Sequence, residues 1–332
     1  MKKILVIRFS SIGDIILTTP VVRCLATQMP EAEIHYLTKK SFAPILANNP
    51  YIKKVIAFEG SLRQLIPVLK AEDYSHIVDL HKNLRSVYIL ARMRKSFSTF
   101  SKLTFRKWLL VKFGINIMPK IHIAERYMKA VQRFGVVNDG KGLDFFIPPA
   151  DVVDLQVFPA AFQNGYNGIV IGGKHNTKIL PVDKVVEIIR KSELPVILLG
   201  GPEDHTNGET IRTAIGDKIF NACGQFSLMQ SASLVKQARA IASNDTGLMH
   251  VAAAFNKNII SIWGNTVPEF GMSPYMPDAH SGKTAIAEVH GLKCRPCSRI
   301  GFDQCPKSHF RCMKDQDTEK IASQLNDFSK LS

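Results

Sequence analysis

A polar turn, Ser-Asn-Asp-Thr-Gly-Leu-Met-His, occupies residues 243–250 of this 332-residue chain. The mainly apolar residues 238–242 before it are typical of the end of a strand, and the Ala-rich residues 251–255 after it are typical of a helix. Backbone N–H groups at a helix start attract anions, because they lack partners and lie at the positive end of the helix dipole. The turn therefore predicts a phosphate site. The alternative is that Asp245 or Thr246 only caps the helix.

A second turn of the same kind lies near the start of the chain. Residues 3–7 have the composition of a buried strand, and the polar residues 10–14 follow them and lead into a helix start with a proline at position 20. Ligands of doubly wound sheets bind at the carboxyl ends of strands. The two turns therefore predict two nucleotide-fold halves, and we expect both turns to border one cleft.

The elements that must position these turns alternate along the chain. The first half predicts strands at 4–7, 33–37, 55–58 and 76–80, with helices at 18–29, 42–48 and 62–70. After a linker at 148–166, strands are predicted at 168–173, 196–199, 219–221, 239–242 and 259–263, with helices at 183–191, 207–215 and 228–237. This alternation indicates parallel βαβ units. A last helix at 317–330 has no strand of its own.

Composition limits the class of protein. The length suits two domains, and the hydrophobic fraction of 45% is enough to fill their cores. The apolar runs are shorter than the roughly 18 residues of a membrane span, and the first residues do not resemble a signal peptide, so we expect a cytoplasmic protein. A net charge of +15 predicts an acidic partner: a nucleotide, a nucleic acid or an anionic membrane surface.

The positive charge is concentrated in an acid-free stretch at residues 80–124. Its basic residues are Lys82, Arg85, Arg92, Arg94, Lys95, Lys102, Arg106, Lys107, Lys112 and Lys120, interleaved with Tyr88, Phe97, Phe100, Phe105, Trp108 and Phe113. Such a stretch fits a polyanion that also has an apolar part. The alternative is an ordinary solvated helix face.

Three segments together resemble glycosyltransferase family 9, the ADP-heptose:lipopolysaccharide heptosyltransferases. They are SSIGDIILTTP at 10–20, KILP at 178–181 and DTGLMH at 245–250, and the resemblance extends in order over nearly the whole chain. It implies an α/β protein of the GT-B fold, with two facing Rossmann-like domains built on parallel sheets. The implied acceptor-binding domain is 1–150 and the nucleotide-sugar-binding domain is 151–316. The implied C-terminal helix, 317–332, crosses back to the first domain.

The resemblance also implies a function. It is the inverting transfer of heptose from ADP-heptose to the inner core of lipopolysaccharide, either Kdo-lipid A or a heptosylated acceptor. We expect the protein to act at the cytoplasmic face of the inner membrane, in peripheral contact with it, and to bind no nucleic acid. Two alternatives remain: a related transferase that uses another sugar nucleotide or acceptor, and a non-catalytic basic protein that binds nucleic acid.

Two residues are predicted to be catalytic. An inverting transfer needs a base that takes the proton of the acceptor hydroxyl, and Asp14 matches the family's catalytic aspartate. The alternative role for Asp14 is a helix N-cap. Lys178 matches the family lysine that contacts the donor phosphates, and it would stabilise the leaving diphosphate. Leu180 departs from the aromatic residue that the family usually carries there.

The remaining predicted contacts divide between donor and acceptor. The N–H groups of the 246–248 turn would hold the diphosphate, Asp245 the sugar hydroxyls, and either Glu203 or Asp204 the ribose. His250 fits a ligand contact or a packed core residue equally well. The full predicted donor set is Ser10, Ser11, Gly13, Glu203, Asp204, Asp245, Thr246, Gly247, Leu248 and His250. The predicted acceptor set is Lys82, Arg85, Arg92 and Arg94.

We expect catalysis to require no metal and no cofactor, because a lysine and helix N-termini can neutralise the diphosphate. Four of the six cysteines have the spacing C-x2-C-x7-C-x6-C: Cys294, Cys297, Cys305 and Cys312. Such clustering in a cytoplasmic protein favours zinc over disulfides. Two interpretations remain: a structural zinc site, with His290 and His309 as spare ligands, or a set of buried thiols.

Overall fold

The computed structural model describes residues 2–331, which divide into two compact units. The first unit contains the chain up to Lys102 together with Ile121–Phe146, and the second contains Leu103–Lys120 and the chain from Ile147 onward. The change of unit after Phe146 lies beside the predicted boundary at residue 150. Leu103–Lys120, which the prediction put in the first domain, groups with the second unit. The separate acceptor and donor roles of the two domains stay predictions.

The first unit is built on a five-stranded parallel sheet. Its strands are β1 (Lys2–Ile7), β2 (Ala32–Lys39), β3 (Lys54–Phe58), β4 (His76–Asp79) and β5 (Phe97–Thr99), in the spatial order β3-β2-β1-β4-β5. Its helices are α1 (Ile12–Ile16), α2 (Thr19–Gln28), α3 (Leu62–Ala71) and α4 (Leu84–Met93), and Ile123–Met128 forms a further one. Because strand order reverses between β1 and β4, the crevice at their carboxyl ends is the expected ligand site.

The predicted helix at 42–48 is a 3₁₀ segment, Lys40–Ile45, in the structure. Pro44 lies inside it and lacks the N–H that a continuing α-helix would need. The other predicted strands and helices of this unit are present with shifted ends. β5 and α4, both within the acid-free stretch, were not predicted from the sequence.

The second unit is built on a six-stranded parallel sheet. Its strands are β6 (Asn167–Val170), β7 (Val196–Leu199), β8 (Ile219–Asn221), β9 (Ala240–Asn244), β10 (Asn258–Trp263) and β11 (Thr284–Glu288), in the order β11-β10-β9-β6-β7-β8. Strand order here reverses between β6 and β9. The turns that contain Lys178 and Asp245 follow these two strands, so both lie at the expected ligand crevice.

Helices cover both faces of the second sheet, and one further helix comes from the first half of the chain. That helix is α5 (Thr104–Phe113), and with α6 (Ile123–Met128) of the first unit it completes the helices before residue 147. The later ones are α7 (Ala160–Gln163), α8 (Val182–Lys191), α9 (His205–Ile215), α10 (Leu228–Gln237), α11 (Gly247–Ala254), α12 (Arg311–Lys314) and α13 (Thr318–Lys330). Across residues 2–331, no helix is both long and apolar enough to cross a membrane.

The terminal helix α13 packs on the second unit. It lies against α8, β9 and β10, and Ile321, Ala322 and Leu325 join the core of that unit. Asp317 caps α13 by accepting a hydrogen bond from the Lys320 N–H. The predicted return of this helix to the first domain stays a prediction.

We expect Leu325→Ala to lower the free energy of unfolding of the second unit by about 2–5 kcal/mol, because it leaves a cavity in a packed core. Leu325 is 0% exposed, whereas Leu331 is 68% exposed, so Leu331→Ala is the matched control and should change little. Urea denaturation monitored by circular dichroism measures both. Equal midpoints for the two variants would contradict the packing of α13.

Candidate active site

The carboxylate of Asp14 is held at the carboxyl end of β1 by an ion pair. Arg8 Nη2 lies 2.7 Å from Asp14 Oδ1, and the hydroxyl of Ser11 donates to Asp14 Oδ2 at 2.8 Å. The Ser11 N–H also donates to Asp14 Oδ2, at 3.2 Å. Burial acts to raise the pKa of Asp14, but the Arg8 charge and the Ser11 hydrogen bonds outweigh it and lower that pKa. Asp14 is therefore ionised at neutral pH.

The structure distinguishes between two roles for this turn. Ser11 is the N-cap of α1, and Asp14 is the third residue of the helix, so Asp14 is not the N-cap. The other residues of the predicted turn contribute backbone: the Ser10 carbonyl accepts from Arg8 Nε at 2.8 Å, and Gly13 is buried within α1. Direct donor contacts of Ser10, Ser11 and Gly13 stay predictions.

His81 is a site residue that the sequence analysis missed. It is the second residue after β4, and its ring meets that of Phe9 edge-on at a centroid distance of 5.3 Å. Burial, together with the charges of Arg8 and Lys102, lowers the pKa of His81 to about 4, so the imidazole is neutral at physiological pH. The sequence contained a signal for His81: it comes just after a predicted strand, and residues that follow neighbouring parallel strands lie at the same edge of the sheet.

A basic cavity of about 380 Å³ lies in the first unit near the ends of β2 and β3. Lys39, Lys40 and Arg85 line it, and Lys40 pairs with Glu59. Of the predicted acceptor residues, the structure brings only Arg85 to this cavity. The others are directed elsewhere: Lys82 donates to the Phe100 carbonyl, Arg92 stacks on Tyr88, and Arg94 ends α4. Their acceptor contacts stay predictions.

Lys178 and Asp245 form an ion pair in the second unit. Lys178 Nζ lies 2.5 Å from Asp245 Oδ2, and the Thr266 hydroxyl donates to the same oxygen at 3.0 Å. Both charged side chains are mostly buried. The pair places an ammonium group directly beside the turn that begins α11, where it can meet a phosphate.

Asn244, the last residue of β9, fixes the Lys178 segment relative to that turn. Its amide donates to the carbonyls of Val170 and Gly172, and its oxygen accepts from the Leu180 N–H at 3.3 Å. A buried amide must find such partners, because an unpaired one is costly. Asn244 belongs to the polar turn that the sequence predicts, but the sequence indicated no role for it.

The helix α11 begins as predicted, after the turn that follows β9. Thr246 is its N-cap, and no side-chain hydrogen bond caps the helix start. The N–H groups of the first turn, from Gly247 and Leu248, are thus not satisfied by that cap, which is the arrangement that binds an anion. The capping alternative for Asp245 is wrong, because this carboxylate pairs with Lys178.

The acidic candidates for the ribose differ in access. Asp204 is buried, accepts from the Gly201 N–H at 2.8 Å, and packs close to Gly172 and Gly200. Its position stabilises the turn after β7. Glu203 is exposed and remains the available side chain of the two. His250 is buried on α11, so the packed-core interpretation describes its position and a ligand contact stays a prediction.

All six cysteines are free thiols. Within residues 2–331, no three His, Cys, Asp or Glu side chains converge as a ready-made set of metal ligands. Cys294, Cys297, Cys305 and Cys312 nevertheless line one small cavity, together with His309. His290 lies 3.9 Å from Glu288, and the cavity lining does not include it.

Two parallel doubly wound sheets, each with a polar turn at its switch point, define an α/β protein of the GT-B class. The sequence model of glycosyltransferase family 9 (heptosyltransferase) matches residues 62–298. The chain belongs to this family and is a glycosyltransferase. Membership favours the enzyme over the nucleic-acid-binding alternative.

Curated relatives match over most of their length. A lipooligosaccharide heptosyltransferase 2 of Haemophilus influenzae is 25% identical, with 90% of this chain and 92% of the relative covered. A lipopolysaccharide heptosyltransferase 2 of Escherichia coli K12 is also 25% identical, with coverages of 81% and 84%.

Solved structures confirm the predicted fold. A glycosyl transferase family 9 protein from Veillonella parvula superimposes with a TM-score of 0.81 at 20% identity, covering 100% of this chain and 98% of its own. The ADP-heptose lipopolysaccharide heptosyltransferase II of Escherichia coli superimposes with a TM-score of 0.75 at 20% identity, with coverages of 100% and 99%.

We expect Ser11→Ala to move the acid limb of the transfer rate to higher pH. The Asp14 carboxylate stays ionised until the pH falls through its lowered pKa. Loss of the hydrogen bond from the Ser11 hydroxyl raises that pKa, so protonation begins at a higher pH. Thr213→Ala, which removes an exposed hydroxyl on α9, is the control. The measurement is kcat against pH. An acid limb identical to that of the wild type would show that the Ser11 hydroxyl does not set the pKa on which the rate depends.

Proposed function

We propose that this glycosyltransferase moves heptose from ADP-heptose to the anionic inner core of a lipopolysaccharide precursor, with inversion at the anomeric carbon and without a catalytic metal. The observation that carries the proposal is the Asp14 carboxylate, held ionised at the carboxyl end of β1 by Arg8 and Ser11. The heptosyltransferase names of the relatives support the choice of sugar.

Asp14 acts as the general base in this proposal. Its carboxylate takes the proton of the acceptor hydroxyl while the acceptor oxygen bonds to the anomeric carbon. The bond from that carbon to the diphosphate oxygen breaks, and ADP leaves with the electron pair. Attack opposite the leaving group inverts the anomeric configuration.

Lys178 and the start of α11 stabilise the leaving diphosphate. The ammonium of Lys178 is available once phosphate oxygens compete with Asp245 for it, and the N–H groups after Thr246 face the same negative charge. Asp245, released from Lys178, then accepts hydrogen bonds from sugar hydroxyls. Fixed positive groups of this kind supply the charge that a divalent ion provides in other transferases.

The basic cavity supports an anionic acceptor. Lys39 and Arg85 both line it, and the described residues give neither side chain an acidic partner. A phosphate or carboxylate of the acceptor would neutralise these charges. Lys39 ends β2, which pairs in parallel with β1, and Asp14 follows β1, so the cavity and Asp14 lie at the same edge of the sheet.

We expect Asp14→Asn to lower kcat by about 10²- to 10⁴-fold, because the amide cannot take a proton. The assay is ADP release from ADP-heptose with and without Kdo-lipid A. Asp73→Asn, which changes an exposed carboxylate, is the matched control and should keep full activity. Release in the wild type that does not depend on acceptor would count against transfer, and release only from another sugar nucleotide would replace heptose in the proposal.

We further propose that α5 contacts the cytoplasmic face of the inner membrane. Leu110 and Val111 of this helix pack with Val267 and Phe270, so one side is fixed to the second unit. Phe105, Trp108 and Phe113 are exposed and form a contiguous aromatic group with ring centroids 5.2–5.9 Å apart. The exposed basic residues of the segment Leu103–Lys120, which contains α5, are Arg106, Lys112 and Lys120. Aromatic and basic side chains together suit an anionic lipid surface.

We expect anionic phosphatidylglycerol vesicles to shift the tryptophan emission of the protein to shorter wavelength, whereas phosphatidylcholine vesicles should not. The chain has two tryptophans, and Trp108 is 45% exposed while Trp263 is 1% exposed, so a shift reports on α5. Trp108→Phe should abolish the shift but retain vesicle co-sedimentation. Unchanged Trp108 emission at saturating anionic lipid would remove α5 from the membrane contact.

A further inference from the structure

The segment between β11 and α12, residues 289–310, is a long loop without helix or strand. Loops beyond about 12–15 residues without internal structure are uncommon in compact domains unless something orders them. Apolar contacts hold it only near its two ends, where Leu292 and Phe310 pack against the core of the second unit, whereas Ile300 and Phe302 between them are exposed. The loop nevertheless makes specific contacts with Thr177, the neighbour of Lys178: the Phe302 carbonyl accepts from the N–H and the hydroxyl of Thr177, and the Phe302 N–H donates to that hydroxyl.

Four thiols gather where this loop meets α12. We call them the cysteine cluster: Cys294, Cys297, Cys305 and Cys312. They line one cavity of about 10 Å³, which has room for a single water or ion. Cys312 is anchored in the core on α12, whereas the other three belong to the loop. An ion held by all four would therefore fasten the loop to the core.

A buried amide in the same cavity is an independent sign of a ligand. Asn265 is 1% exposed, lines the cavity, and neither its side-chain nitrogen nor its oxygen has a hydrogen-bond partner. A buried amide left without partners is destabilising, so such groups are normally paired. A metal-bound thiolate is a strong acceptor and would take the Asn265 N–H. The adjacent backbone supports this placement, since the Cys297 N–H donates to the Asn265 carbonyl.

His309 is better placed as a hydrogen-bond donor than as a ligand. Its Nδ1 accepts from the Arg311 N–H at 3.0 Å, which puts the proton of the neutral ring on Nε2. That Nε2 lies 3.6 Å from the sulfur of Cys294. A protonated nitrogen cannot bind a metal, but it can donate to a thiolate.

The charge of the segment also suits a thiolate site. Residues 293–314 contain six Lys or Arg residues and one acidic residue, Asp303. A divalent ion with four thiolates has a net charge of −2, which these cations offset.

We propose that the cysteine cluster binds one tetrahedral metal ion, Zn²⁺ or Fe²⁺, through four thiolates, with Asn265 and His309 donating to the sulfurs. Four thiolates select these two metals over harder cations. The side chains must turn toward a common point, because they do not converge on one as free thiols. The ion is structural: it orders the loop that holds Thr177 beside Lys178, and it takes no part in glycosyl transfer.

The first test is the metal content of the full chain, purified under reducing conditions without an affinity tag or chelator. We expect about one equivalent of zinc or iron by mass spectrometry, with iron recognisable by its thiolate charge-transfer absorption. Cys297→Ser and Cys305→Ser should lose the ion, while Cys24→Ser, a buried cysteine of α2, should keep it. Substoichiometric metal in folded wild-type protein, or full metal in Cys297→Ser, would overturn the proposal, as would disulfides within the cluster.

The second test starts from the wild-type protein and keeps all four cysteines. Wild-type protein depleted of metal and loaded with Co²⁺ should show the absorption of a tetrahedral four-thiolate site, and His309→Ala should leave that spectrum unchanged. A changed spectrum would make His309 a ligand and overturn the four-thiolate assignment. Asn265→Leu should keep the ion but weaken its binding about 10- to 100-fold in a chelator competition. Unaltered affinity in that variant would remove Asn265 from the site.

Discussion

The guanidinium of Arg8 connects the elements at the carboxyl edge of the first sheet. It pairs with Asp14, donates to the carbonyls of Ser10 and Leu80, and reaches the Tyr127 hydroxyl at 3.0 Å. These contacts connect the turn after β1, the end of β4 and α6. A buried arginine needs such a complete set of acceptors, because an unpaired buried charge is far more costly than the bonds it forms. The ionisation of Asp14 depends on the same side chain.

In the second unit, a buried amide and an ion pair hold the corresponding turns together. Asn244 connects β9 to β6 and to the Lys178 segment, and Lys178 in turn is neutralised by Asp245. In the absence of substrate, the ammonium is therefore satisfied within its own unit. In the proposed function, a diphosphate would replace Asp245 as the anionic partner of Lys178, which costs less than taking a solvated lysine out of water. The site is thus preorganised for anion exchange.

The loop at 289–310 is connected to the Lys178–Asp245 ion pair through the segment after β10. Arg295 fastens it by donating to the carbonyls of Gly264 and Thr266 and by pairing with Glu288. The Thr266 hydroxyl also donates to Asp245, so the segment that follows β10 contacts both the loop and the Lys178–Asp245 ion pair. Whatever orders this loop therefore also determines how rigidly Lys178 and Asp245 are held.

Local sequence determined the alternation of strands and helices, because buried parallel strands are continuous apolar runs and their helices have a distinct period. The two polar turns could be found for the same reason, since each directly follows such a run. Elements without a clear period were missed: β5 and α5 lie in a stretch dominated by basic and aromatic residues, and β11 is a half-buried edge strand. The helix α4 was missed although its buried residues Ser86, Ile89 and Met93 recur at helical spacing.

The sequence by itself thus determined the fold class, the family, and the positions of Asp14, Lys178 and Asp245 on turns after strands. Only the tertiary structure decided which charges meet. The partners of these three residues are Arg8 for Asp14, and each other for Lys178 and Asp245, which stand 67 residues apart in the chain. It likewise decided that Arg85 alone of the predicted acceptor residues lines the basic cavity, and that Asn265 lies with the cysteines. Such pairings depend on strand order and side-chain direction, which no local period encodes.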